Sequence, residues 1–222
     1  RMALYPSPFP AENRKIFFVR DVTTRYDELM KDKTIIPQMW KYVSEICKRF
    51  EKNTMVSFPS YNTLAMFQKN GYFAEIQRCL YIEEQHMSQS ELMDLVSDFK
   101  SCGNGDGNSA ALFTVMGGRI SEGMDFPAEQ LEIAVIVGIP YPKPTARQRG
   151  LQKYNDQKLV KGWEYTVQAP AARKMLQAIG RLIRNENDRG VAVILDKRAT
   201  RFHQYIKEMR ESRDLLRDIS VF

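Results

Sequence analysis

The order of apolar and polar positions separates two kinds of segment along the chain. From about residue 54 onward, short runs with few polar interruptions alternate with longer stretches whose apolar residues recur every three or four positions. The runs are "NTMVSF" (53–58), "LYIEE" (80–84), "AALFTVM" (110–116), "EIAVIVG" (132–138) and "GVAVILD" (190–196). Nearly continuous apolar runs of this length predict strands covered on both faces, as in a parallel sheet. The periodic stretches predict helices over 61–70, 88–100 and 169–185, and a charged helix over 199–217. Residues 35–52 read as a helix ahead of the first core strand, and "RKIFFVR" (14–20) offers one more strand. Strands alternating with helices predict βαβ units: an α/β fold with a doubly wound, mostly parallel sheet and helices on both faces.

Composition narrows this picture modestly. A chain of 222 residues with 43% hydrophobic positions can bury a full core and fits a single domain. The 33 Lys and Arg against 27 Asp and Glu give a net charge of +6, which permits a polyanionic partner without requiring one. Cys47, Cys79 and Cys102 are far apart, show no CxxC spacing and have only His86 and His203 beside them. That pattern argues against a local zinc or iron–sulfur site and suits a reducing interior. No apolar stretch is long enough to span a bilayer and no signal peptide is visible, so no membrane partner is expected. The opening "RMALYPSPFP" reads as a cut inside a longer protein, although a cloning remnant looks the same.

Four stretches carry candidate chemistry. In "QAIGRLIRNENDRG" (177–190), continuous helix would align Gln177, Arg181 and Arg184 within about 60° of arc, with Arg173 on the same stripe. Met175, Ile179, Leu182 and Ile183 fall on the other side and can face the sheet. A guanidinium row suits the stabilisation of a transferring phosphoryl group; it equally suits a solvated basic face. "VMGGRISEGMDFP" (115–127) follows a strand, and its paired glycines allow close backbone approach to a phosphate or form an ordinary tight turn capped by Ser121. "VSFPSYNTL" (56–64) breaks at Pro59, leaving Ser60, Tyr61, Asn62 and Thr63 at a helix N-terminus that can attract phosphate or simply be capped. Residues 141–165 interleave six Lys and Arg with tyrosine and tryptophan, as in a single-strand channel or a solvated excursion packed on its own aromatics. "GNGDGN" (103–108) precedes a strand instead of joining strand to helix, so it reads as a surface turn.

Taken in order, these stretches resemble the second motor domain of superfamily 2 helicases of the XPD/DinG-like family, with compact loops like those of archaeal XPD-type members. "VSFPSY" looks like motif IV, "GGRISEGMDF" motif V and "QAIGRLIRNENDRG" motif VI, followed by an "LDKR"-type segment; "FFVRDVTTRY" (17–26) resembles the lead-in. The resemblance spans most of the chain, with 1–34 as lead-in and 35–222 as the core of one RecA-like domain. It implies that Arg181 and Arg184 are arginine fingers at the nucleotide γ-phosphate and that Gln177 organises that cleft. It implies that Gly123 and Asp125 lie near the nucleotide. Ser60, Tyr61, Asn62, Gly118, Arg119, Ser121 and Arg173 would face the DNA strand. Arg119 stands where the family usually has lysine, which keeps the charge and alters contact geometry.

The implied cofactors are ATP and Mg²⁺, held mainly by a first motor domain, with a 4Fe–4S cluster elsewhere in the parent protein. The implied partners are single-stranded DNA, that first domain and repair-complex proteins. The implied location is the cytoplasm of an archaeon, or the nucleus for a eukaryotic homologue. No G-x-x-x-x-G-K-[ST] and no DEAH-like box occurs, and "YIEEQH" has the wrong order, so the chain alone is expected to be inactive. A scaffold that kept the fold without the motor, or a motor working on RNA, would share much of this pattern.

Overall fold

The computed structural model describes residues 10–102, 109–120, 124, 126, 130–183 and 185–222. Seven strands form one sheet in the order β3-β4-β2-β5-β6-β1-β7, and every pairing is parallel. They are β1 (Arg14–Val19), β2 (Thr54–Phe58), β3 (Cys79–Ile82), β4 (Ala110–Val115), β5 (Ile133–Val137), β6 (Gly190–Leu195) and β7 (Arg210–Glu211). All residues of β2, β4, β5 and β6 are buried, as their continuous apolar runs predict. The optional strand at the start of the chain is present and sits between β6 and β7, with Arg14 opposite Gly190 and Phe17 opposite Arg210.

Helices cover both faces. On one side lie α2 (Ile35–Arg49), α3 (Tyr61–Lys69) and α7 (Leu215–Ser220), which bury Met39, Trp40, Phe67 and Leu215 against Val56, Phe113 and Val135. On the other lie α4 (Gln89–Ser101) and α6 (Ala169–Ile179), whose Leu92, Phe99 and Met175 pack on Met55, Leu112 and Ala134. Local chemistry sets the start of α4, where Ser88 and Glu91 form a complete capping box; α6 instead continues out of the π-helical stretch at Glu164–Gln168, with Pro170 just past the junction. The short α1 (Tyr26–Lys31) and α5 (Ala146–Leu159) bury no residue. No described helix is long and apolar enough to cross a membrane.

Two expectations fail. The helix expected over 199–217 is a 3₁₀ segment (Lys197–Phe202), turns, the edge strand β7 and then α7. Its apolar spacing is real, since Phe202, Ile206, Met209, Leu215 and Ile219 are all buried. Turns read that spacing instead of a helix because Ser212 N–H donates to Phe18 O at 2.9 Å, extending the sheet edge, and Asp214 recaps the chain. The helix expected over 169–185 ends at Ile179, preceded by a π-helical stretch at Glu164–Gln168.

Candidate functional site

In an open parallel sheet, ligands gather at the carboxyl ends of the strands. Here two buried carboxylates organise that edge, one on each half of the sheet. Glu83, just beyond β3, is 1% exposed. Its Oε1 accepts from the Tyr61 hydroxyl at 2.7 Å; its Oε2 accepts from the Val115 N–H at 3.2 Å and from the Thr114 hydroxyl. One carboxylate therefore ties the start of α3 to the end of β4 and the turn after it. A Cβ on Gly118 would lie 2.8 Å from Glu83 Oε1, so that turn requires glycine there. Burial, then the hydrogen bond to Glu83 and its charge, push the Tyr61 hydroxyl up to about 12, with Arg119 opposing.

The expected N-cap is formed: Thr63 N–H donates to Ser60 Oγ at 3.2 Å. Ser60, Tyr61, Gly118 and Arg119 thus share one patch, in which Arg119 Nη2 donates to Met87 O at 2.6 Å. Asn62 is exposed on the first turn of α3. Ser121, Gly123 and Asp125 lie outside the described residues.

Asp196, at the end of β6, is fully buried. It accepts from Thr23 Oγ1 at 3.2 Å, Thr24 N at 2.8 Å and Thr24 Oγ1 at 3.1 Å. Arg198 donates to it through Nε at 2.9 Å and Nη2 at 2.7 Å, a two-pronged charge-assisted pair. Burial opposes the Arg198 charge, but the bonds and charge of Asp196 outweigh it and raise the guanidinium pKa. The guanidinium lies 5.2 Å from the Tyr141 ring centroid, and Tyr141 lies 5.9 Å from Trp163. Arg20, Arg25, Lys197 and Arg201 join these aromatics around an open groove, where Glu28 pairs with Lys197 and, at 3.9 Å, with Arg25.

The arginine row is corrected. Arg173 and Gln177 point outwards from α6, but Gly180 caps that helix and Arg181 sits in the following turn, 6% exposed. The helix stops because the chain must turn into β6: Leu182 and Ile183 are buried, and Leu182 packs so closely that a Cβ on Gly190 would meet it at 2.8 Å. Arg184 lies outside the described residues. Lys174, on the same helix, places Nζ 3.0 Å from where a Gly117 Cβ would stand, linking α6 to the turn after β4. Among the described residues no cluster of His, Cys, Asp or Glu could hold a metal ion.

Sequence reasoning missed Glu83, Thr114, Asp196 and Arg198 as site residues. Each carboxylate follows directly on a strand run with an apolar end, "LYIE" and "VAVILD", a position that marks the sheet edge but not the partners it binds.

The sequence profile of the helicase C-terminal domain matches residues 43–213. The chain belongs to that family. It is an XPD-like superfamily 2 helicase C-terminal domain with a RecA-like fold. It is 30% identical over 229 residues to a probable ATP-dependent helicase of Methanocaldococcus jannaschii, covering 96% of this chain and 32% of the relative. It is also 30% identical over 186 residues to the ATP-dependent DNA helicase XPD of Sulfolobus acidocaldarius, covering 80% and 30%. A solved apo XPD structure superposes with a TM-score of 0.69 at 26% identity, covering 90% of this chain and 40% of that one. The chain thus spans about a third of the length of the curated relatives it matches.

Proposed function

We propose that this chain is the C-terminal motor half of an ATP-driven DNA helicase of the XPD type. The observation that carries this reading is the basic, aromatic-walled groove beside Asp196. Its guanidinium and ammonium groups suit a phosphate backbone, and Trp163, 46% exposed, offers a ring on which a base can stack. The Tyr61, Gly118 and Arg119 patch on the other half of the sheet edge supplies the second stretch of the same single-strand track, with Ser60, Asn62, Ser121 and Arg173 contributing to it.

ATP and Mg²⁺ fit only partly. Gln177 is exposed where a nucleotide held by another domain could meet it, but the described residues hold no metal cluster. When bound, the nucleotide supplies the phosphoryl group whose transfer drives the motor. This chain's own residues orient it and add positive charge as the domains close. Arg184 adds that charge, while Gly123 and Asp125 lie near the nucleotide and couple it to the DNA track. Arg181, buried as it is, acts as a positioning residue where the chain turns after α6. A repair role and repair-complex partners follow from the family resemblance in the same reading.

Single-strand-dependent ATP hydrolysis tests this, measured on the chain alone and after adding the separately made first motor domain. We expect none from the chain alone, turnover on mixing, and loss of that turnover with Arg184→Ala while nucleotide binding persists. Hydrolysis by the chain alone, or stimulation by RNA above that by DNA, overturns the reading.

A further inference from the structure

Between β5 and α6 the chain makes a detour whose middle part, α5, adds nothing to the core. The fourteen residues of α5 bury no side chain at all. The helix is nonetheless well built: Thr145 Oγ1 caps Gln148 N–H at 3.2 Å, and Val160 closes it with φ 55°. It is hinged onto the residues ahead of α6. Gln148 donates to Thr166 O, and Asp156 Oδ1 accepts from Gly162 N–H at 2.7 Å. Gln148, Gln152 and Asn155 are half-buried on that side. The adjoining Glu164–Gln168 turn is π-helical, a geometry that recurs at functional sites.

The rest of the helix is presented to solvent. Arg147, Leu151, Tyr154 and Lys158 recur at i, i+4, i+7 and i+11, within about 60° of arc. Leu151 is 49% exposed and Tyr154 is 57% exposed. Residues 143–163 hold six Lys and Arg and a single acid, Asp156, whose carboxylate is already committed to Gly162. Arg147, Lys153 and Lys158 make no ion pair among the described residues. The far end of the arm runs through Lys161 into Trp163, which walls the groove.

We infer that α5 is a nucleic-acid-binding arm: it takes the phosphate backbone of a single strand on Arg147 and Lys158, with a base on Tyr154 and with Lys153 reaching the same strand from about 100° round the helix, beyond the groove at Trp163. The charge on α5 decides for a polyanion over an apolar protein partner, because the two apolar groups of the stripe stand between cations. The inference rests on the single-strand track proposed above and lengthens it by about 21 Å, the span of fourteen helical residues.

The test is equilibrium binding of this chain to a fluorescent thymidine oligonucleotide over a series of salt concentrations. Wild type is compared with R147Q/K153Q/K158Q, Tyr154→Ala and Trp163→Ala, each checked for an unchanged melting temperature. Loss of three phosphate contacts should flatten the slope of log affinity against log salt by about 2, and loss of one stacked base should weaken binding roughly tenfold. An oligonucleotide too short to reach past the groove should bind the triple variant and wild type equally. Wild-type slope and affinity in the triple variant, with Trp163→Ala still weakened, overturn the arm and leave the groove standing. A triple variant that keeps DNA affinity but no longer associates with the first motor domain also overturns it, in favour of a protein contact. No oligonucleotide binding by wild type overturns the arm and the proposed track together.

Discussion

Glu83 and Asp196 solve the same problem in opposite ways. Each is a carboxylate buried where a strand ends, and each binds segments distant in sequence. The donors that Glu83 has among the described residues include two hydroxyls and one backbone N–H, all neutral. Asp196 also has hydroxyl and backbone donors, but it adds the two-pronged pair with Arg198. A buried carboxylate surrounded by neutral dipoles can be replaced by a neutral acceptor with the donors still satisfied. A largely buried ion pair cannot lose one member cheaply, because the charge left behind recovers little hydration: the Arg198 side chain is 15% exposed, where it lines the groove. The half of the edge around Asp196 should therefore be the brittle one, and the half around Glu83 the tolerant one.

Asp196→Ala is the largest break in this comparison. It strands Arg198 and frees Thr23 and Thr24, so we expect a loss of about 3–5 kcal/mol by denaturant unfolding. Arg198→Leu in the same background should recover part of that loss, because the unpaired charge is gone. If Asp196→Ala unfolds like wild type, the ion pair does not hold this half together. Next in size is Gly138→Ala. Gly138 has φ +82°, and a Cβ there would lie 2.2 Å from the Thr24 side chain, which bonds Asp196. Backbone strain and the displaced threonine together predict a loss of about 2–3 kcal/mol. Combined with Asp196→Ala, the two losses should fall short of their sum, since both break the same contact.

This pairing also separates what could be read in the sequence from what could not. The central strands were legible because burial on both faces leaves an unbroken apolar run; β1 to β6 fall inside or within a residue of the expected runs, and the two-residue edge strand β7 does not. The patch around Tyr61 was legible for a local reason: Pro59 ends a strand and Ser60 caps the next helix. Glu83 and Asp196 were not, because their roles depend on residues as distant as Thr23 and Thr114, which only the strand order brings near. Periodicity misled at two places. Residues 181–183 fold as turns and 203–214 as turns and a short edge strand while keeping helical spacing, since spacing records which side chains are buried and not how the backbone delivers them. That is why Arg181 points inwards, although a continuous helix would have carried it outwards beside Gln177.

Glu83→Ala should cost less than Asp196→Ala. It leaves the Thr114 hydroxyl and the Val115 N–H buried without their acceptor, a loss of about 1–3 kcal/mol. Glu83→Gln sharpens the contrast, because its amide oxygen can still accept and only one of the carboxylate oxygens is replaced by a donor. We expect it to retain more than half of the stability lost in the alanine variant, whereas Asp196→Asn, facing Arg198, should retain little. Equal losses for Gln and Asn would mean that the charge on Asp196 is no more necessary than that on Glu83.

The smallest effect is also the most specific to the Glu83 half. The Tyr61 hydroxyl ionises near 12 in the folded chain because burial and Glu83 disfavour the phenolate, against an ordinary value of 10.0. A group whose folded pKa is raised adds stability that is complete below its unfolded pKa and disappears as pH climbs through the folded one. The Tyr61 contribution should therefore be intact at pH 9 and fade between about 10 and 12. Phenolate absorbance followed against pH should show one late-titrating tyrosine fewer in Tyr61→Phe, at a neutral-pH cost of about 1 kcal/mol for one hydrogen bond. In Glu83→Gln the same tyrosine should titrate earlier than in wild type, because the negative charge that opposes its ionisation is gone. An unchanged titration would mean that burial alone sets the value and that the carboxylate serves Thr114 and Val115 instead.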